Sequence, residues 1–133
     1  MIHEYLSNQV IKAYYEVYNE LGYGFLEKVY ENAMVIVLKS YGISGRKQVP
    51  IKVFFRESNV GLYFADLIIE NKIIVELKAG EALCLEHEIQ LMNYLRATEV
   101  ELGFLLNFGV KPQFKRKIFE NKYKKFVPIR LIR

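Results

Sequence analysis

Residues 62–78 read LYFADLIIENKIIVELK, and this stretch does most to limit the folds open to the chain. Two runs rich in β-branched and aromatic residues, 62–70 and 72–78, flank a short polar ENK turn. That is the pattern of a β-hairpin. AGEA (79–82) then leads into a helix expected from about Leu85 to Ala97. Thr98 to Glu101 form a short link to another apolar strand, LGFLLNF (102–108). Strand, helix and strand in succession imply a right-handed crossover and a parallel pair. A hairpin beside a parallel pair requires a mixed sheet with helices on its faces, an α/β sandwich.

The flanking segments fit that plan. Leu6, Val10, Ala13, Tyr14, Val17, Tyr18 and Leu21 recur at helical spacing. GYG (22–24) permits positive φ and predicts a bend. A second helix is expected from about Phe25 to Tyr41, with Leu26, Val29, Tyr30, Ala33 and Val37 on one face and Gly42 as its stop. KQVPIKVFF (47–55) alternates, and Pro50 marks it as an edge strand because proline donates no ladder bond. ESNVG (57–61) reads as the turn that follows. Beyond Gly109, FKRKIF (114–119) and VPIRLIR (127–133) alternate weakly and are candidates for added edge strands. No repeat or linker-like tract divides residues 1–133, so one domain is expected.

Composition excludes several classes. Apolar residues make up 52% and charged residues 26%, a globular balance. No apolar run approaches the roughly 20 residues of a membrane span. The N-terminal MIHEYLSNQV has neither a basic leader nor an apolar signal core, and Cys84 has no cysteine partner, so a reducing, cytoplasmic setting is expected. Cys84 itself reads as a small buried or half-buried side chain. The net charge of +4 is unevenly spread. Residues 111–133 carry nine Lys/Arg against one acid, whereas residues 1–110 carry ten bases against fourteen acids. A basic end on an acidic body points to a polyanion, nucleic acid above all, or else to a basic face turned to solvent.

Among fifteen acidic residues Asp66 is the single aspartate, and it sits inside an apolar strand. An unpaired buried carboxylate is costly. With the turn centred near Asn71, Asp66 and Glu76 lie opposite or diagonal across the hairpin, and Glu76 and Lys78 share a face. Two carboxylates and an ammonium therefore converge. Mg²⁺ (or Mn²⁺) relieves repulsion between two carboxylates, because it accepts one or two of them and keeps several waters. Lys78 is then placed to stabilise negative charge. The competing reading is a structural ion pair in which Lys78 bridges the two acids.

Two helices supply further candidates. Glu27 falls beside Met34 and Leu38, at the rim of the apolar face, from where it reaches the sheet; the alternative is a first-turn glutamate favouring the helix dipole. Glu31 is expected to point further outward. His87, Gln90 and Tyr94 form one stripe, with Leu85, Ile89, Leu91, Met92 and Leu95 on the other side. For His87 an exposed polar face is expected.

A carboxylate on one strand, Glu-x-Lys on the next and a helix bearing Gln and Tyr together resemble the PD-(D/E)XK nuclease superfamily. GFLEKVY (24–30) is similar to the motif that names its GxxExxY family: Gly24, Glu27 and Tyr30. The blocks ADLIIENKIIVELKAGEAL, HEIQLMNYLR and LGFLLNFG resemble that family's later blocks, and the resemblance runs from about Val10 to Lys117. It implies a restriction-endonuclease-like α-β-α sandwich with an αβββαβ core and a mixed central sheet. It implies Asp66, Glu76 and the Leu77 carbonyl as metal ligands, Glu27 as a ligand directly or through water, and Lys78 as the catalytic lysine. Gln90 and Tyr94 match the motif helix that supports the site or touches phosphate, while Gly24 and Tyr30 are structural. Ala65 stands where the superfamily name expects proline. The expected activity is Mg²⁺-dependent hydrolysis of nucleic acid, DNA first, by a metal-activated water. The alternative is a nucleic-acid-binding or adaptor module that keeps the fold without cutting. A homodimer is a further possibility, since such nucleases pair to cut both strands. The basic segment, Lys111, Lys115, Arg116 and Lys117 included, lies largely at or beyond the edge of the resemblance and is the expected phosphate-binding surface.

Overall fold

The computed structural model describes residues 2–124. Helices α1 (Glu4–Leu21) and α2 (Glu27–Ser40) precede strands β1 (Gly45–Phe55), β2 (Ser58–Ile69) and β3 (Ile73–Lys78). Helix α3 (Leu85–Ala97) then leads to β4 (Leu102–Phe108) and β5 (Pro112–Ile118). The five strands lie in sequence order. All neighbours are antiparallel except β3 and β4, whose parallel pairing runs from Ile73↔Leu102 to Lys78↔Asn107. The mixed sheet and its flanking helices are those of a restriction-endonuclease-like α/β fold.

Two apolar cores sandwich the sheet. One joins Val10, Tyr14 and Val17 of α1 and Tyr30, Met34 and Leu38 of α2 to Leu67, Ile69, Ile73, Val75 and Phe104. The other joins Leu91, Tyr94 and Leu95 of α3 to Val49, Ile51, Ile68, Ile74 and Leu105. β3 and β4 are central, and every residue of β4 is buried. That explains their nearly unbroken apolar sequence, because a strand covered on both faces has no solvent side. β1 is the edge strand that Pro50 foretold.

Several expectations shift. The β1–β2 turn is Arg56–Glu57, both at positive φ (49° and 69°), so Ser58 to Gly61 belong to β2 rather than to the turn. A two-residue turn with two positive φ values matches the right-handed twist of the strands. At the next hairpin Glu70 and Asn71 are again at positive φ (52° and 56°), but within a three-residue loop, Glu70 to Lys72, between Ile69 and Ile73. In α2 the buried residues are Tyr30, Glu31, Met34 and Leu38, while Leu26 and Val29 are exposed. Tyr30 stays on the expected face, stacked on Phe108 at 4.1 Å, but from there the buried stripe runs through Met34 and Leu38 instead of Ala33 and Val37. In α3, Leu85 and Ile89 are exposed instead of buried, and Tyr94 faces the sheet. Cys84 is exposed and stands at the N-cap of α3. FKRKIF does contribute an edge strand, β5, while 127–133 lie outside the described residues.

Candidate active site

The site forms where β2 and β3 part. Their ladder ends at Leu67↔Val75, and one step on Asp66 and Glu76 face each other. Side chains take over from the backbone there. The Asp66 N–H donates to Glu76 Oε2 at 2.8 Å, and the Leu77 N–H donates to Asp66 Oδ2 at 2.8 Å. Each carboxylate thus satisfies an amide of the opposite strand and holds the fork open.

β1 opens at the same level. Lys47 pairs with Leu67 and Val49 with Ala65, but the intervening Gln48 and Asp66 skip their pairing. Gln48 holds φ at 50°, a left-handed backbone that costs a non-glycine residue about 1 kcal/mol or more. The break disturbs the alternation of faces: Ala65 packs into the α3 core and Leu67, two residues on, into the α1/α2 core. Gln48 Nε2 donates to Glu31 Oε2 at 3.1 Å and to Asp66 Oδ1 at 3.4 Å.

Electrostatics follow from this crowding. Burial, then the Asp66 charge, pushes the Glu76 carboxyl from 4.5 up to about 8. Burial also raises Asp66, against the hydrogen bond from Leu77 and the charge of Lys78, and it raises Glu31. Lys78 is half-buried and near enough to lower both acids, yet it forms no ion pair with either, so the bridging lysine of the competing reading is not formed. Glu31, expected to point outward, is buried, and its Oε1 has no hydrogen-bond partner. Burial thus makes ionisation costly for all three acids, and most of all for Glu76.

Both helices reach this fork. Glu27 Oε2 accepts the Ala79 N–H at 3.2 Å, directly after Lys78. The start of α2 that carries Glu27 is fixed by Tyr30, whose hydroxyl donates to the Gly22 carbonyl at 2.7 Å and accepts the Phe25 N–H at 3.2 Å. This ties the Gly22–Gly24 bend, both glycines at positive φ, to the first turn. From the other face, Gln90 Nε2 donates to the Tyr94 hydroxyl at 2.7 Å. Burial and the Glu76 charge raise Tyr94 to about 12. His87 is half-buried rather than exposed, and burial, then the charge of Lys78, lowers its imidazole below the usual value.

Asn107 completes the frame. It is fully buried in an apolar strand, opposite Lys78. Its Oδ1 accepts the Gly80 N–H at 3.1 Å and its Nδ2 donates to the Gly80 carbonyl at 3.0 Å. Its own carbonyl accepts from Tyr14. The chain leaving Lys78 is therefore clamped from two sides, by Glu27 at Ala79 and by Asn107 at Gly80.

The sequence brought Asp66, Glu76, Lys78, Glu27, Gln90 and Tyr94 to one place, and the structure does likewise. Sequence reasoning missed Gln48, Glu31 and Asn107. Glu31 follows Glu27 by one helical turn, and Asn107 is the sole polar side chain in LGFLLNF; both signals were available. The basic residues do not gather into one surface. Strand alternation puts Arg116 opposite Phe104, on the α1/α2 side, and Lys115 opposite Leu105, on the α3 side. Lys117 pairs with Glu88 at 2.6 Å, and Lys122 with Glu120 at 3.3 Å. Lys124 is buried, with Nζ donating to the Thr98 and Val100 carbonyls. Lys111 is exposed. Lys125, Arg130 and Arg133 lie outside the described residues.

A model of the PD-(D/E)XK nuclease superfamily matches residues 4–118. The chain belongs to that superfamily. Members typically use divalent metals, and the superfamily points to a nucleic-acid substrate. Among curated proteins none matches. Among solved structures, "Crystal structure of SSO0001" is similar, with a TM-score of 0.53 and 20% identity over 71% of this chain. That likeness concerns the fold alone, and the match covers half of the solved chain's length. Among the described residues, no helix is long and apolar enough to cross a membrane.

No three His, Cys, Asp or Glu among the described residues enclose a metal position by themselves. Mg²⁺ does not need three, since it takes one or two carboxylates and keeps its waters. Asp66 and Glu76 each give one oxygen to an amide, and Asp66 Oδ1 also accepts from Gln48 at 3.4 Å. Two carboxylates at one spot are the kind of oxygen donor that Mg²⁺ takes.

Proposed function

We propose that this protein is a Mg²⁺- or Mn²⁺-dependent nuclease of the GxxExxY type, hydrolysing phosphodiester bonds of nucleic acid, DNA in the first instance. The observation that carries the reading is the fork itself. Two carboxylates meet where the β2–β3 ladder ends, unneutralised, with Lys78 one alternate position further along the same strand. Asp66, Glu76 and the Leu77 carbonyl would hold the cation, with Glu27 beside them. When bound, the metal supplies Lewis-acid activation of a water and neutralises phosphate charge. Lys78 stabilises the negative charge that builds on the phosphoryl oxygens. Glu27 and Asn107 fix the backbone on the far side of Lys78, and so fix where its ammonium acts. Gln90 and Tyr94 orient the substrate from α3. Lys111 and Lys115, both exposed, remain the best phosphate contacts of the basic segment, and Arg116 and Lys117 would join only by leaving their present surroundings.

Incubation with DNA and Mg²⁺ tests this directly. Cleavage is expected from the wild type and lost in both Asp66→Ala and Lys78→Ala. Cleavage that survives both changes rejects the assigned site. The alternative is a nucleic-acid-binding module that keeps the fold without cutting. Calorimetry separates the two, because a folded sample that takes up neither Mg²⁺ nor Mn²⁺ supports the alternative.

A further inference from the structure

The β1–β2 hairpin is twice as long as its neighbour: 11 and 12 residues against the 6 of β3. Its outer half therefore runs past the body of the sheet. Between this overhang and α3 lies a groove of about 610 Å³. Tyr63 of the hairpin and Tyr94 of α3 both line it and pack against each other, with ring centroids 5.9 Å apart and planes inclined at 48°, so they form one continuous aromatic surface. Tyr63 is half exposed, and its ring edge lies over the bare backbone of Gly61, where a Cβ would stand 3.4 Å away. Ile89, 50% exposed, continues the apolar floor. Gln90 and Asn93 add amide groups, and Arg96 adds positive charge. The acid at the rim, Glu86, is fully solvated.

The groove is continuous with the candidate active site. Tyr94 and Gln90 belong to both, and His87, which lines the groove, feels the charge of Lys78. A nucleic-acid strand with one phosphate at Asp66, Glu76 and Lys78 therefore has an adjoining nucleotide within reach of the tyrosines. The volume lies in the range of single small-ligand sites, roughly 300–1,000 Å³. A stacked duplex, with one groove alone about 12 Å wide, does not enter such a space. Aromatic faces bind any base by stacking, whereas amides and an arginine contact base edges and backbone.

We propose that this groove receives an unpaired nucleobase next to the phosphate held at the fork, so that the substrate is single-stranded or frayed nucleic acid rather than continuous duplex. This rests on the nuclease reading of the same site and names its substrate class.

The test is fluorescence anisotropy with the full chain and labelled oligothymidylate, in EDTA so that nothing is cut. Parallel arms use the corresponding duplex, an oligouridylate of the same length, and an abasic strand with the same phosphates. The thymidylate strand is expected to bind at least tenfold more tightly than the duplex or the abasic strand. Tyr63→Ala is expected to weaken it about tenfold, the loss typical of one stacked base, while Tyr63→Phe retains binding. Thymidylate and uridylate strands are expected to bind within a few fold of each other, because stacking tolerates both the base methyl and the 2′-hydroxyl in which they differ. Equal binding of abasic and normal strands overturns the proposal without relying on any variant. So does duplex binding as tight as single-strand binding, or Tyr63→Ala without effect in a folded protein. Base-dependent binding without Mg²⁺-dependent cleavage would instead reject the nuclease reading and leave the groove standing. Cleavage of continuous duplex unaffected by Tyr63→Ala would do the reverse.

Discussion

Replacing Glu76 with glutamine should change how stability depends on pH, and the structure gives both sign and scale. Glu76 is 3% exposed and its carboxyl is pushed from 4.5 to about 8. In the unfolded chain it ionises near its ordinary value, so between pH 4.5 and about 8 the folded protein binds a proton that the unfolded chain has lost. Stability therefore falls as pH rises through that window. At about 1.36 kcal/mol per pH unit the gap sets an upper bound of about 5 kcal/mol, which desolvation costs shared with Asp66 will reduce. Asp66 and Glu31 are raised as well and steepen the fall in the same direction. Glutamine keeps an oxygen for the Asp66 N–H but carries no charge at any pH. Urea denaturation without metal, at pH 5 and at pH 8.5, should show the wild type losing about 2–4 kcal/mol more than Glu76→Gln. Mg²⁺ in large excess over its dissociation constant should restore about 2.7 kcal/mol or more to the wild type at pH 8.5, and less to the variant. Parallel pH profiles for the two proteins would show that Glu76 is not a strained acid, and the charge argument for the metal position would fall with it.

Other perturbations read different parts of the frame. Gly109→Ala would put a Cβ 2.6 Å from the Gly80 carbonyl and 2.9 Å from Asn107 Nδ2, so it should cost about 1–3 kcal/mol in denaturant unfolding. Gly80→Ala, with nothing nearer than 3.9 Å, should cost far less and is the control. Asn107→Leu removes both side-chain bonds to Gly80, and amide hydrogen exchange at Gly80 should speed up markedly, with Asp66→Ala unchanged at that amide. Lys124→Met strips the Thr98 and Val100 carbonyls of a donor and should destabilise by about 1–3 kcal/mol in a thermal or urea melt, although a surface lysine would leave stability untouched.

The sheet was legible because its strands obey simple rules. The ENK turn fixed the β2–β3 register, the α3 crossover fixed the parallel pair, and Pro50 marked the edge. Asp66 stood out for the same reason, since a lone aspartate in an apolar strand breaks the pattern around it. Helical faces were harder. In α2 the apolar stripe read from the sequence ran through Leu26, Val29, Tyr30, Ala33 and Val37, whereas the buried one runs through Tyr30, Met34 and Leu38. Glu31 is buried beside that stripe, which no local propensity reveals. In α3, Leu85 and Ile89 looked buried by composition but are exposed, and Ile89 lines the groove under the overhanging hairpin, a tertiary feature invisible to periodicity. In the basic segment a count of charges does not reveal partners: Glu88, Glu120 and two backbone carbonyls take Lys117, Lys122 and Lys124, while Lys111 and Lys115 are exposed.

The two readings of the charged cluster make opposite demands on energy. An ion-pair network that stabilises a fold holds its cation against its anions and leaves no carboxylate strained. Here the ammonium of Lys78 forms no ion pair, three carboxylates are raised by burial, and one buried oxygen has no partner. Gln48 adds a left-handed backbone at the same spot. Every one of these costs stability, and the hydrogen bonds from Gln48 and the two strand amides, with the charge of Lys78, offset the cost only in part. The rest of the offset lies elsewhere, in β3 and β4, where Ile73, Ile74, Val75, Leu105 and Leu106 are buried on both faces at on the order of 1.5–3 kcal/mol each. An apolar frame that supports a repulsive cluster at the mouth of its central strands is arranged for a ligand that supplies the missing positive charge. A cation at the fork removes the repulsion, while a bridging lysine, which the geometry does not provide, would have removed the need for one.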